Sequence, residues 1–225
     1  MKTEILHTIL FSISFLSLFG FAEFLYHVYK IRVEMTRKLV HIGTGLITLL
    51  FPFYLNNQWY ILFLCISFSI ILLLSLRYRF LPSINSIDRE SVGSLAFPFA
   101  VYGCFLAYDF IGQNYIYYHL PILILAISDP IAALSGKRWP IGKFNIGKDS
   151  KTWMGSGLFF LSSLLLSFFF FFSAFQLLPT LILSISIAFV STCTEAISRK
   201  GYDNLTIPGS ILLTLLFFHF YLQWI

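Results

Sequence analysis

The sequence predicts an all-α, polytopic transmembrane bundle of about eight helices, and three observations carry that prediction. Of 225 residues, 58% are hydrophobic and only 11% are charged, with 27 Phe among them. The apolar residues gather in repeated runs of about 18 residues or more, the length that crosses a bilayer as a helix. The basic residues fall almost entirely in alternate connections between those runs. A soluble core of this size cannot hide so many apolar side chains, whereas a helix satisfies its own backbone polar groups in lipid. The short alternating segments of a membrane β-barrel do not occur.

Eight apolar segments are expected, at roughly 5–26, 39–55, 58–76, 92–112, 115–135, 154–178, 180–198 and 205–223. The first has one basic residue before it and no small-x-small cleavage pattern, so it reads as a helix rather than a removable leader. It is expected at the periphery (5–26) of a single integral membrane domain, 1–225, whose functional core covers about 36–225. Asn56-Asn57-Gln58, Gly112-Gln113-Asn114 and a turn near Leu178-Pro179 make one set of connections, nearly uncharged. The other set holds 14 of the 15 Lys and Arg residues, leaving only Lys2. The positive-inside rule makes that side cytoplasmic and places both termini outside. The net charge of +5 then belongs to the cytoplasmic face, where topology and anionic lipid account for most of it. No nucleic-acid partner is expected. Cys65, Cys104 and Cys193 lack any paired spacing and read as packing residues. The Phe168 to Phe172 run reads as lipid-facing bulk.

Ionisable groups inside a membrane are costly and usually face the bundle interior. Asp129 lies in ILAISDPIAALSGK, before a Pro130 that is expected to kink or end its helix. Ala132, Ala133 and Gly136 then permit close approach of a ligand or another helix. Ser184, Ala188, Ser191, Glu195 and Ser198 are spaced to share one helical face, a polar stripe ending in a carboxylate. Glu195 could also pair with Arg199 one turn on. Arg37, His41, Gly45 and Thr48 share a face in MTRKLVHIGTGL, where Arg37 and Lys38 also suit simple positive-inside anchors. The other histidines show no metal-ligand spacing.

The stretch SDPIAALSGKRWPIGKFNIGKDSKTWMGS, from Ser128 to Ser156, is the polar centre of the chain. It reads as a loop in which Gly136, Gly142 and Gly147 alternate with Lys137, Arg138, Lys143, Lys148 and Lys151. Glycines let backbone N–H groups approach anionic oxygens and lysines supply point charges, so the loop suits phosphate. KTWMGS, with Thr152 and Ser156, opens the next helix and adds its positive end. Asp129, Glu195 and Asp203 could hold Mg²⁺ against a polyphosphate. The spacing of a P-loop is absent. The residues thus indicate a cytoplasm-facing intramembrane site for a phosphorylated ligand and a divalent metal, with transporter and lipid enzyme both open.

The Ser128–Ser156 stretch resembles the signature loop of the CTP-dependent polyprenol kinase family, which includes dolichol kinase, phytol kinase and CTP-dependent diacylglycerol kinase. Asp129 with its small residues, Gly136-Lys137-Arg138, Gly142-Lys143, Lys151-Thr152 and Gly155-Ser156 carry the likeness. EAISRKGYDNLTIP and RKLVHIGTG resemble the family's later and earlier blocks, in the right order. Ser128-Asp129-Pro130 stands where many members have Gly-Asp. KTWMGS is also similar to a motif of phosphatidate cytidylyltransferase, but Met154 replaces its acidic residue and that enzyme's later block is absent. The resemblance implies that CTP phosphorylates the hydroxyl of an isoprenoid alcohol or diacylglycerol, in an active site facing the cytoplasm. It implies Asp129, Glu195 and Asp203 as catalytic and Mg²⁺-binding groups. Lys148, Lys151 and Arg138 would hold phosphates, Asp203 and Asn204 would orient metal or nucleotide, and Arg37, Lys38 and His41 would contribute further. Cytidyl transfer to phosphatidate and transport of an anionic lipid are the other readings.

Overall fold

A computed structural model describes residues 2–85, 92–147 and 149–222 of the chain. Its helices are α1 (Lys2–His27), α2 (Val33–Thr48), α3 (Phe51–Tyr54), α4 (Gln58–Tyr78), α5 (Pro82–Asn85), α6 (Gly93–Phe110), α7 (Ile116–Arg138), α8 (Trp153–Phe172), α9 (Leu177–Ile197) and α10 (Asp203–Leu222). Between α7 and α8 lies a hairpin of β1 (Lys143–Ile146) and β2 (Asp149–Thr152), with Ile146 opposite Asp149. Among the described residues, seven helices are long and apolar enough to cross a membrane; α2 and the two short helices fall outside that set. The protein is therefore a multi-pass, helical integral membrane protein.

Several boundaries differ from the sequence reading, each for a local reason. The second expected segment (39–55) divides into α2, which starts earlier, and α3, with a turn at Leu49 and Leu50. Pro52 sits in the first turn of α3, where its missing N–H is harmless, and without that N–H it cannot extend the α2 hydrogen-bond ladder through this point. Pro179 likewise lies inside the first turn of α9, so the turn falls at Ser173–Gln176 rather than at Leu178-Pro179. Pro130 does not end α7, which continues through Gly136, Lys137 and Arg138. Those three residues are helical rather than loop. Beyond them the expected loop folds into the β-hairpin, whose turn begins at Gly147 with φ +63°. A glycine in left-handed geometry suits a tight antiparallel turn. Arg89 and Lys148 lie outside the described residues.

Two apolar cores form. One gathers Phe11, Phe15 and Phe19 of α1 with Phe51, Leu64, Phe68 and Phe105. The other gathers Tyr117, Leu120, Phe159, Phe171, Leu183 and Ile211 from α7 to α10. Large apolar side chains such as Phe63, Phe169 and Leu213 face outward, as a lipid-immersed bundle requires. The Phe168–Phe172 run is not uniformly lipid-facing: Phe169 and Phe172 are exposed while Phe171 is fully buried, because consecutive residues rotate around a helix. Cys65 and Cys104 are buried packing residues, whereas Cys193 is exposed.

The helices that join the two cores approach closely. A Cβ added at Gly45 of α2 would overlap the Cβ of Ala126 on α7, so only glycine permits this crossing. Gly103 in α6 has open space where its Cβ would stand. Gly45→Val is therefore expected to lower stability by about 1–3 kcal/mol through overpacking. Gly103→Ala is expected to be neutral or mildly stabilising, and thermal unfolding of both purified variants checks the contrast.

Candidate functional site

A carboxylate in an apolar helix must find a counter-charge within the protein. Asp129 finds it in Lys38, whose Nζ donates to Oδ2 at 2.5 Å and so joins α7 to α2. One helical turn away, the ring N–H at His41 Nε2 donates to the Leu125 carbonyl at 3.0 Å, which holds the same nitrogen 3.8 Å from Asp129 Oδ2. Of the two roles the sequence leaves open for Lys38, membrane anchor or contributor to the site, the contact with Asp129 puts it in the site as the direct partner of the central carboxylate.

A second pair stands beside the first. Lys151 on β2 donates to the Glu195 carboxylate and, at 2.9 Å, to the Glu195 carbonyl at the end of α9. Ser156 Oγ in the first turn of α8 donates to Glu195 Oε2 at 3.2 Å. Lys151 Nζ also lies 4.0 Å from Asp203 Oδ2 at the start of α10. The alternative partner for Glu195, Arg199, is not used, since α9 ends at Ile197. Ser184, Ala188, Ser191, Glu195 and Ser198 are all buried, as their spacing predicts. Asn204 is directed to the backbone: its Nδ2 donates to the Gly93 carbonyl at 2.7 Å and ties α10 to α6. Arg37 reaches the same junction, its Nη2 being 3.2 Å from where a Gly93 Cβ would stand.

The small residues after Asp129 serve helix packing. A Cβ on Gly136 would stand 2.6 Å from Thr152 Oγ1, and one on Gly155 would stand 2.9 Å from the Ala132 carbonyl. Thr152 Oγ1 in turn accepts from Gly155 N at 3.0 Å and caps α8. This close crossing sets the hairpin, and with it Lys151, over the end of α7.

These groups share one cavity of about 470 Å³. Its polar end carries Lys38, Asp129, Lys151, Glu195, Asp203 and Asn204, with Arg37 and His41. Lys137, Lys143, Gly136, Thr152 and Ser156 also line it, and Lys137 pairs at the exposed rim with Glu34, a residue sequence reasoning passed over. Arg138 is exposed and Gly142 packs against Trp153, so neither lines this cavity. Lys148 lies outside the described residues. The cavity continues between α1, α2, α4 and α6 into an apolar arm, past Phe19 and Phe68. No local sequence signal marks that arm, because its walls come from four separate helices.

Among the described residues, no three His, Cys, Asp or Glu side chains are grouped to hold a metal ion. Asp129 and Glu195 are each engaged by a lysine, and Asp203 lies within electrostatic reach of both.

The chain is 32% identical over 198 residues to a phytol kinase of Synechocystis sp. (strain ATCC 27184 / PCC 6803 / Kazusa), an alignment covering 85% of this chain and 83% of that protein. The chain belongs to the polyprenol and phytol kinase family. It is thus a membrane-embedded kinase. No protein-family profile matches it, and no solved structure does.

In this kinase the Lys38–Asp129 pair carries a direct stability consequence. Lys38→Met leaves a buried carboxylate without its counter-charge, and is expected to cost about 3–5 kcal/mol. Adding Asp129→Leu should recover most of that loss, since removing both charges is far cheaper than removing one. Denaturation midpoints of the two variants in detergent check this.

Proposed function

We propose that the protein transfers the γ-phosphoryl group of CTP to the hydroxyl of a membrane lipid alcohol, an isoprenoid alcohol or diacylglycerol, at the cytoplasmic face. The observation that carries this reading is a single cavity with paired lysines and carboxylates at one end and apolar side chains at the other. A polyphosphate suits the first and a lipid the second. The relationship to a phytol kinase supports the reaction type, and the signature stretch supports CTP as donor. Nearly all the basic residues lie on the side that the positive-inside rule assigns to the cytoplasm, where nucleotide is available.

In the transfer, a bond forms between the alcohol oxygen and the γ-phosphorus, the bond from that phosphorus to its bridging oxygen breaks, and CDP leaves. In this reading Asp129 orients the hydroxyl and accepts its proton, with Lys38 and His41 beside it. Lys151 is poised between Glu195 and Asp203 as the cation for the transferring phosphoryl group. Lys137 and Lys143 are the cations nearer the rim for the remaining phosphates. Such a reaction relies mainly on positioning and charge neutralisation. Although no three His, Cys, Asp or Glu side chains are grouped among the described residues, Mg²⁺ is commonly held by one or two carboxylates plus substrate phosphates. Asp203 with Asp129 or Glu195 would hold it. When bound it neutralises charge on the phosphates.

The test is a product assay in proteoliposomes. CTP labelled at the γ-phosphate is expected to label a lipid alcohol, and CTP labelled at the α-phosphate is not. Label from the α-position would instead mean cytidyl transfer, and translocation without turnover would mean transport. Asp129→Asn is expected to lower turnover by at least about 100-fold; full activity in that variant would remove Asp129 from its role.

A further inference from the structure

A second groove, separate from the cavity of the paired charges, opens between the β-hairpin and the turn that joins α9 to α10. Gly147 and Asp149 of the hairpin stand on one side, and Ile197, Arg199, Lys200 and Tyr202 on the other. None of these six lines the first cavity, whereas their neighbours Ser150, Lys151, Gly201 and Asp203 do. The hairpin and the α9–α10 turn are therefore walls of both hollows.

The two walls are bonded to each other. Asp149 Oδ2 accepts from the Lys200 backbone N–H at 2.6 Å, and the Lys200 carbonyl accepts from Val92 N at 2.8 Å. These bonds hold Lys200 in left-handed geometry, φ +53°, a conformation that a residue other than glycine keeps only where its surroundings over-determine it. Asp149 and Lys151 lie two residues apart on β2 and so share a face of the hairpin. The first meets this turn, and the second meets Glu195.

The groove lies where two membrane-spanning helices meet, the level of lipid headgroups. Ile197 is 66% exposed and Tyr202 50%, an apolar and an aromatic side chain turned outward at that depth. The hydroxyls along the groove are already engaged on their own helices. Thr194 Oγ1 donates to the Val190 carbonyl at 2.8 Å, Ser198 Oγ to the Thr194 carbonyl at 2.7 Å, and Thr206 Oγ1 to the Tyr202 carbonyl at 3.0 Å. Charge is what remains for a ligand. Arg199 is exposed and joins none of the ion pairs among the described residues. Its Nη1 stands 2.8 Å from where a Gly147 Cβ would be, so the guanidinium reaches across to the hairpin turn. A guanidinium matches phosphate oxygens in shape as well as charge. A cationic edge beside an apolar wall at headgroup depth complements an anionic phospholipid.

We propose that this groove binds the headgroup phosphate of an anionic phospholipid, with Arg199 as its principal cation. The bound lipid holds the hairpin against the α9–α10 turn and so steadies Lys151 in the neighbouring cavity. The lipid site stands apart from the phosphoryl-transfer reading; only its effect on turnover rests on that reading.

The experiment is native mass spectrometry of the full chain in detergent, titrated with dioctanoyl phosphatidylglycerol or dioctanoyl phosphatidylcholine. The anionic lipid is expected to bind more tightly, and Arg199→Gln to weaken it about tenfold, the scale of one hydrogen bond to a charged group. Arg199→Lys should keep part of the affinity. Arg77→Gln, which removes an exposed cation at the end of α4, should keep all of it. Equal binding of phosphatidylcholine, or an unchanged affinity in Arg199→Gln, overturns the site. Displacement of the lipid by an equal concentration of inorganic phosphate assigns the groove to a soluble anion and overturns the lipid. In vesicles, phosphatidylglycerol is expected to raise turnover in the wild type and not in Arg199→Gln. Binding without that gain overturns the link to Lys151. Lipid bound by a chain that phosphorylates no alcohol in any vesicle sinks the kinase reading and leaves the site standing.

Discussion

The polar end of this protein depends on keeping carboxylates charged inside an apolar bundle. An isolated ion moved from water to such surroundings loses several kcal/mol even after relaxation. Lys38 offsets that loss for Asp129, and Lys151 does so for Glu195. Each pair crosses between elements, the first clipping α2 to α7 and the second clipping the β-hairpin to α9. The requirement to pair charges therefore also decides which elements meet at the cavity.

The same pairing makes the site receptive. A lysine that neutralises a carboxylate is a cation that an incoming phosphate can compete for, and a carboxylate so released can orient a hydroxyl or a metal ion. The proposed phosphoryl transfer uses both partners of each pair. Ser156 and the Glu195 carbonyl hold Lys151 and Glu195 in register, so the exchange needs little backbone movement.

α2 is central to this arrangement although its sequence is too short and too polar to count among the spanning helices. Its sixteen residues carry Arg37, Lys38 and His41 toward the cavity and lie tight against α7 through Gly45. Neighbouring helices shield it, which lets a polar face persist at membrane depth. The apolar arm of the cavity runs along the same helix, so one element connects the charged end of the cavity to its apolar part.

The sequence by itself determined the helical membrane class, the separation of basic from uncharged connections, and the identity of Asp129, Glu195 and Asp203 as polar groups out of place. These are legible because apolar run length and helical periodicity are local properties. It also placed Glu195 on a buried stripe, which the spacing alone resolves. Only the tertiary structure decided that Lys38 rather than Arg37 meets Asp129, and that Lys151 rather than Arg199 meets Glu195. Only there does the glycine- and lysine-rich stretch become a helix end and a hairpin, with Arg138 turned away. The physical reason is that a buried charge takes whichever counter-charge the close crossings at Gly45, Gly136 and Gly155 bring within reach, and crossings between distant segments leave no periodic mark on either one.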